Sequence, residues 1–341
     1  MKKTHSLLFV IFAAVLAFNA CSTDVDLYAD YKNITIVYGL LDAKQDTNFV
    51  KINKAFLGPG NAMDIALIAD SCNYPGKLDA RILEYRASQG NNHYQKTDEF
   101  QLDTITVYDK TPGIFYAPEQ LLYYTTHKIK TNDERFKYRY DLYIDRGDTI
   151  LTSSTDIVGG GTFNVQQSVL NFSSVVDMGA LKWYPAPNAA VYEVNIEFHY
   201  TEISPTHDSV EKVMHWSLGT HSIDDLAFEN GCYSTPYKAS LFFANLAMEL
   251  GNDTLDRTVE RVFFEPSLRV SLAAGGSELY NFISVNAPSS SIVQNIPEYT
   301  NINGGYGVFS SRAFITKKLK LSSQTVTELI NHDNWNFRQG R

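Results

Sequence analysis

The stretch from Leu181 to Tyr200 reads Leu-Lys-Trp-Tyr-Pro-Ala-Pro-Asn-Ala-Ala-Val-Tyr-Glu-Val-Asn-Ile-Glu-Phe-His-Tyr. Its second half alternates apolar or aromatic residues with polar ones, which is the period-two pattern of a strand with one buried face. A shorter strand containing Trp183 and a turn rich in proline precede it. The alternation resumes at Ser209–Leu218 after the polar turn Ser204–Asp208, so the sequence predicts a long β-hairpin.

This strand–turn–strand pattern resembles the opening of a fibronectin-type-III or related immunoglobulin-like domain. The resemblance implies that Trp183 lies at the domain centre, beside a strand whose core residues are Tyr192, Val194, Ile196 and Phe198. We therefore predict a mainly β fold. It would consist of two immunoglobulin-like or fibronectin-III-like β-sandwich domains, with a short helical insert and a C-terminal helix.

Short runs of β-branched and aromatic residues, separated by turns with Gly, Pro and Asn, also fill the chain before this stretch. The triplet Gly159-Gly160-Gly161 is the predicted linker between the two domains. The length of 341 residues agrees with two domains of ordinary size. The predicted organisation is a signal peptide at 1–20, a tether at 21–32, a first β-sandwich at 33–158, a second at 162–321, and a C-terminal helix and tail at 322–341.

Two segments of the second half carry helix signals. Pro236 suits a first helical position after a Ser-Thr cap and Gly251 suits the end, so a helical insert is expected at about 235–250. Thr325 and Glu328 form a capping box that predicts the start of the last helix. Four apolar residues of the insert fall near one face at helical spacing and should pack on a sheet: Leu241, Phe242, Leu246 and Leu250.

The N-terminus has the layout of a secretory signal, with Lys2 and Lys3, then the apolar run Leu7–Phe18, then Asn19-Ala20-Cys21. Spanning a bilayer needs roughly 20 apolar residues, so this run is too short to do so comfortably. A small residue followed by cysteine resembles a bacterial lipoprotein signal, which implies that Cys21 is lipidated. The alternative is plain secretion with Cys21 as an ordinary thiol.

The formal net charge of −9, without basic clusters, argues against a nucleic-acid partner, because phosphate neutralisation requires concentrated Lys and Arg. After Cys21 the chain contains only Cys72 and Cys232. Export permits a Cys72–Cys232 disulfide, and two separate thiols are the alternative. A zinc site is not expected, because such sites use closely spaced cysteine pairs.

Three local patterns have both a chemical and a structural interpretation. A turn centred near His207 would pair His199 with His215; two ligands are few for a metal, so we expect solvent-facing strand histidines. Arg146-Gly147-Asp148 is similar to an integrin-binding tripeptide, but the same residues suit a tight turn. Gly159-Gly160-Gly161 lacks the lysine and the strand–loop–helix context of a phosphate loop. We predict no catalytic residue, no metal site and no cofactor.

Four positions share an Asp followed by Ser or Thr and then an apolar residue. This triplet resembles the O-glycosylation sequon of Bacteroidetes-type bacteria. An Asp that ends a turn before a β-branched residue is also a common start for a strand, so the structural explanation stays open. The candidate acceptors are Thr104, Thr149, Ser209 and Thr254.

The segment Tyr299–Ser311 reads Tyr-Thr-Asn-Ile-Asn-Gly-Gly-Tyr-Gly-Val-Phe-Ser-Ser. It is similar to the Asn-Ile-x-Gly-Gly-x-Gly-x-Phe signature of a Bacteroidetes family of outer-membrane lipoproteins, the domain-of-unknown-function family 4249. The resemblance extends loosely to the lipoprotein signal, the region Pro112–Tyr116 and the strand Tyr138–Ile144. Because glycine permits positive φ and close backbone approach, we expect a structural turn at Gly304, Gly305 and Gly307.

The family resemblance implies an outer-membrane location, with a lipid anchor and the protein on the cell-surface or periplasmic side. It also implies partners among other outer-membrane proteins, including a TonB-dependent receptor. The favoured function is therefore a non-enzymatic accessory or scaffold subunit of an envelope complex. The alternative is a surface glycan- or peptide-binding or adhesion module. A glycan binder needs an exposed aromatic platform, for which the candidates are Trp183, Tyr184, Trp216 and Trp335.

Overall fold

The computed structural model describes residues 34–55, 61–251, 258–287, 298–332 and 334–340. The predicted signal peptide at 1–20, the tether at 21–32 and the candidate lipidation site Cys21 lie outside these ranges. Within them, no helix combines the length and the apolar character that crossing a membrane requires.

The described residues form nineteen strands and five α-helices. The strands of the first half are β1 (Ile34–Asp42), β2 (Asn48–Ala55), β3 (Asp79–Ser88), β4 (Gln95–Gln101), β5 (Asp103–Val107), β6 (Gln120–Thr125), β7 (Phe136–Asp145) and β8 (Ile150–Asp156). The strands of the second half are β9 (Asn164–Val165), β10 (Val169–Leu170), β11 (Met178–Tyr184), β12 (Val191–Ile203), β13 (Ser209–Ser222), β14 (Ala227–Glu229), β15 (Cys232–Lys238), β16 (Glu260–Phe263), β17 (Leu268–Gly275), β18 (Tyr306–Leu321) and β19 (Phe337–Gln339). The helices are Ala62–Ala66, Ala69–Cys72, Ser240–Leu250, Ser277–Asn286 and Ser323–Ile330.

Among these residues the strands pair into three sheets. The largest sheet has 11 strands in the order β19-β16-β12-β17-β18-β1-β2-β6-β5, with β13 paired to β12 and β10 to β18. The two smaller sheets have four strands each, in the orders β14-β15-β11-β9 and β4-β3-β7-β8. The predicted mainly β fold of sandwich type is confirmed.

Two hydrophobic clusters fill the space between the large sheet and the two smaller ones. One joins side chains of β1 and β2 to those of β3 and β7. The other joins β12, β17 and β18 to β11, β15 and the helix Ser240–Leu250. Along the chain, the first cluster ends at Ile157 and the second begins at Val158, except that Ile302 and Phe309 belong to the first. This change of core lies just before the predicted linker Gly159-Gly160-Gly161.

The large sheet is nevertheless continuous across that boundary. β1 pairs in parallel with the first half of β18, from Ile36 beside Tyr306 to Asp42 beside Arg312. The second half of β18 pairs with β17. One long strand therefore contributes to both cores, and the division into domains at 33–158 and 162–321 stays a prediction.

Along the stretch Leu181–Tyr200, the residues predicted to form the core are buried. Trp183 is fully buried, and its ring centroid lies 5.4 Å from that of Tyr192. β11 and β12 belong to different sheets, so the proline-rich turn carries the chain across the core, with Asn188 at φ 61°. Four alternating side chains of β12 are completely buried: Tyr192, Val194, Ile196 and Phe198.

The helical insert begins later than predicted, because residues 232–238 form β15. Pro236 is tolerated in that strand since it pairs only with Ala180 of β11, while the pairing of β15 with β14 stops at Ser234. The helix runs from Ser240 to Leu250 and ends at Gly251, whose φ of 51° fits the predicted stop. Phe242, Leu246 and Leu250 are buried as predicted, whereas Leu241 is 43% exposed.

The last helix also differs from its prediction. It spans Ser323–Ile330, and its N-cap is Ser322, whose Oγ accepts a hydrogen bond from the Thr325 backbone N–H at 3.1 Å. Thr325 is therefore inside the first turn, where its buried Oγ1 accepts a hydrogen bond from the Phe172 N–H at 2.8 Å. The predicted Thr325–Glu328 capping box is therefore wrong, because the helix begins about one turn earlier, after Ser322.

Candidate functional site

The outer face of the β1–β2 pair forms one wall of a cavity of about 590 Å³. Alternation in β1 places Val37 in the core and leaves Ile36 and Tyr38 on the opposite face. Ile36 lies opposite Asn53, and Tyr38 lies opposite Lys51, in the antiparallel register with β2. Two rigid paired strands therefore fix this wall.

Two further segments form the other walls: residues 62–73, which contain two short helices, and the segment 110–120. They are joined by a hydrogen bond from the Tyr116 N–H to the Ala66 carbonyl at 2.8 Å. Asn53 Nδ2 donates to the Cys72 carbonyl at 3.1 Å, which ties the first segment to β2. We call the space the lysine cavity; its lining is Ile36, Tyr38, Lys51, Asn53, Lys54, Ala55, Met63, Ala66, Cys72, Asn73, Lys110, Ile114, Phe115, Tyr116, Glu119 and Gln120.

The charge in the lysine cavity is mostly positive. Lys51, Lys54 and Lys110 line it together with one carboxylate, that of Glu119. Burial lowers the pKa of Lys51 below its usual 10.5, and the positive charge of Lys110 lowers it further. Within the described ranges, no ion pair to these three lysines is formed. The cavity therefore holds three lysines, of which Lys51 is partly desolvated, and an anionic ligand would offset their charge.

The lining also contains large apolar side chains that are exposed. Tyr38, Met63, Ile114 and Phe115 are between 44% and 56% exposed. Ligand pockets are typically apolar spaces of about 300–1,000 Å³ with a few convergent polar groups. The lysine cavity has this size and composition, so its arrangement suits ligand binding.

Both remaining cysteines are free and buried. Cys72 borders the lysine cavity, and its Sγ donates to the Ala66 carbonyl at 3.4 Å. Cys232 begins β15 in the other half of the structure. The disulfide alternative is therefore wrong, and the alternative of two separate thiols holds.

The predicted histidine pair is not formed. The turn between β12 and β13 is centred on Thr206, because Ile203 pairs with Ser209, and so His199 lies opposite Val213. His199 and His215 instead both approach Glu197, at 3.0 and 3.6 Å between ring nitrogen and carboxylate oxygen. In the part of the chain that the structure describes, no group of three or more potential ligands could hold a metal ion.

Arg146-Gly147-Asp148 forms a turn with an internal arginine. The Arg146 side chain is 8% exposed, and it donates to Thr35 Oγ1 and Thr149 Oγ1, both at 3.1 Å. It also binds Asp148, which lowers the pKa of that carboxyl. Gly147 has a φ of 91°. These contacts favour the turn interpretation, because an adhesive tripeptide needs an accessible arginine.

The candidate glycosylation sites differ in accessibility. Ser209 is exposed at the start of β13, whereas Thr104 and Thr149 are half-buried. Thr254 lies outside the described residues. Modification at these four sites stays a prediction.

The glycine motif lies where the chain enters β18 beside β1. Gly304 and Gly307 have φ values of 80° and 108°, whereas Gly305 has no positive φ. A Cβ on Gly307 would lie 2.0 Å from the Val37 carbonyl oxygen, which explains why glycine stands where β18 meets β1. Asn301 adds two hydrogen bonds to the Phe309 backbone, at 2.7 and 2.9 Å. The motif is a structural turn, as expected.

The first two glycines of the triplet at 159–161 are closely packed, although the sequence predicts only a linker. All three glycines have positive φ, and a Cβ on Gly160 would lie 2.1 Å from the Asn132 carbonyl oxygen. Asn132 Nδ2 donates to the Ile157 carbonyl at 2.8 Å. Glycine is required here because the chain passes between the two cores in close contact with its neighbours.

The three tryptophans are buried, with exposures of 0% for Trp183, 7% for Trp216 and 4% for Trp335. Tyr184, the remaining candidate for an aromatic platform, is 38% exposed. None of these four side chains lines the lysine cavity.

No family model matches the chain, and no curated protein sequence matches it significantly. Among solved structures, the chain is similar to CBD12 from CALX1.2, with 9% identity over 84% of this chain and 99% of that chain. The TM-score of 0.16 is too low for this likeness to support any conclusion about function.

The lysine cavity was not predicted from the sequence. Its lining comes from four separate segments, and only strand pairing and loop packing bring them together. One local signal was present, because Ile114, Phe115 and Tyr116 follow a Pro-Gly turn and form an apolar run inside a loop. Such runs are unusual on a surface and often mark binding sites.

Proposed function

We propose that this protein is a lipid-anchored, non-enzymatic accessory subunit of an outer-membrane complex, beside a TonB-dependent transporter, and that it captures a ligand for that complex. The lysine cavity carries the proposal. It is built on two paired strands, it has the dimensions of a ligand pocket, and its cations lack ion-pair partners among the described residues.

The cellular part of the proposal is supported by the sequence around Cys21. A positive start, a short apolar run and a small residue before cysteine fit an exported lipoprotein. An acyl anchor would keep the cavity close to the membrane without requiring a spanning segment.

The glycan-binding alternative receives less support. A sugar-binding surface usually presents a flat aromatic ring, and the three tryptophans are at most 7% exposed. Only Tyr184 of the four proposed platform residues presents a substantial surface, with 38% exposed.

Subcellular fractionation followed by affinity purification tests the proposal. The tagged wild-type protein should sediment with outer membranes and, after solubilisation, recover a transporter or another outer-membrane protein. Cys21→Ala should move the protein to the soluble fraction and abolish that recovery. Cys232→Ala is the matched control, since it removes a cysteine elsewhere and should leave the protein in the membrane.

Two results would contradict the proposal. One is a Cys21→Ala protein that still sediments with outer membranes after high-salt and carbonate washes. The other is a wild-type protein that is membrane-bound but recovers no outer-membrane protein even after chemical cross-linking.

A further inference from the structure

The apolar part of the lysine cavity comes from residues that are remote in sequence. Tyr38 lies on β1, Met63 on the helix Ala62–Ala66, and Phe115 on the loop before β6. Each is about half exposed, at 44%, 54% and 55% respectively. Exposed apolar side chains that converge on one cavity indicate a ligand with an apolar body, since covering them removes apolar surface from water.

The cationic part lies within the same space. Lys51 is directly opposite Tyr38 in the β1–β2 register. It lines the same cavity as Lys110, whose positive charge helps to lower the pKa of Lys51. Lys110 Nζ already donates to the Tyr116 carbonyl. A single carboxylate between the two lysines would offset both the repulsion and the partial burial of Lys51.

Other ligand classes fit less well. A neutral sugar would leave the three lysines of the lining without a counter-charge. An inorganic phosphate ion could meet the lysines, but it would leave the exposed apolar side chains of the lining uncovered. An apolar chain of medium length with one negative head group matches both parts of the cavity.

We propose that the lysine cavity binds a medium-chain alkyl carboxylate, with its head group between Lys51 and Lys110 and its chain against Tyr38, Ile114 and Phe115. This inference rests on the proposed function and names the ligand class that the subunit captures.

Calorimetric titration tests the proposal directly. The full chain carrying Cys21→Ala, purified without detergent, is titrated with laurate below its micelle concentration. We expect one laurate to bind per chain. Dodecyltrimethylammonium, which has the same chain length and the opposite charge, and acetate, which has the head group without the chain, should not bind at the same concentrations.

Two pairs of variants locate the site. Lys51→Met keeps the length of the side chain and removes its charge, so laurate affinity should fall at least about tenfold, as expected for loss of a charged hydrogen bond. Lys128→Met, at an exposed lysine outside the cavity, should leave affinity unchanged. Phe115→Ala should also weaken binding about tenfold, whereas Phe228→Ala, at an equally exposed phenylalanine on β14, should not. Thermal melts confirm that each variant is folded.

Three outcomes would overturn the proposal: no binding of laurate, equal affinity in the wild-type and Lys51→Met proteins, or equal binding of dodecyltrimethylammonium. If laurate does not bind, but a purified outer-membrane protein binds the wild type and not Lys51→Met, the cavity is a protein docking site. Laurate binding by a chain that recovers no membrane partner would leave this inference intact and reject the accessory-subunit function.

Discussion

Trp183 and Tyr184 are neighbours in the sequence and have opposite environments. In a strand, successive side chains point to opposite faces of the sheet, so Trp183 is fully buried against Tyr192 while Tyr184 is 38% exposed. Trp183 contributes the largest fully buried side chain in the described structure. Its position explains why the strand pattern around it was such a reliable guide to the core.

We expect Trp183→Ala to reduce the free energy of unfolding by about 3–5 kcal/mol, because it removes a large side chain from a closely packed core. Denaturant unfolding followed by circular dichroism measures the change. Tyr184→Ala is the matched control and should cost less than about 1 kcal/mol, as is usual for partly exposed positions. A loss below about 1 kcal/mol for Trp183→Ala would mean that this tryptophan is not a core residue.

Among the strands, β18 connects the two halves of the large sheet. It pairs with β1 at one end and with β17 and β10 further along. Its entry is set by the glycine motif, where Gly307 stands opposite Val37. The backbone approaches so closely there that a Cβ cannot be accommodated without moving β1.

Gly307→Ala should therefore destabilise the fold. Positive φ at a non-glycine residue costs about 1–3 kcal/mol, and the clash with the Val37 carbonyl adds to that cost. A thermal melt should show a clear fall in Tm. Gly76→Ala is the control, because Gly76 has no positive φ and a Cβ placed there would meet no heavy atom within 4 Å. Equal melting temperatures for the two variants would show that the β1–β18 junction tolerates a side chain.

On the scale of the whole molecule, the described residues form two cores that share one sheet. Independent domains would unfold separately, whereas a sheet that crosses the boundary couples the two halves. All three tryptophans belong to the second cluster, so their fluorescence reports on that half alone. Substitutions in the first cluster can therefore test whether unfolding is cooperative.

Ile82 is fully buried in the first cluster, and Ile82→Ala should cost about 2–5 kcal/mol. We expect the unfolding midpoint to fall in tryptophan fluorescence as well as in circular dichroism, because β18 joins the cores. Ile105→Ala, at a residue on β5 that is 45% exposed, should shift neither signal appreciably. A fluorescence transition that stays unchanged in Ile82→Ala would show that the halves unfold independently.

The sequence by itself determined those features that depend on local periodicity and backbone conformation. Alternation along β12 identified its buried face, because a strand has a period of two, and the glycines of the 304–307 motif indicated a special backbone geometry. Tertiary structure alone decided the rest. Strand pairing turned the residues around Pro236 into β15, a shift of one residue in the turn centre separated His199 from His215, and β1–β18 pairing joined the two cores. The lysine cavity belongs to this second group, because its walls meet only when distant strands and loops have packed together.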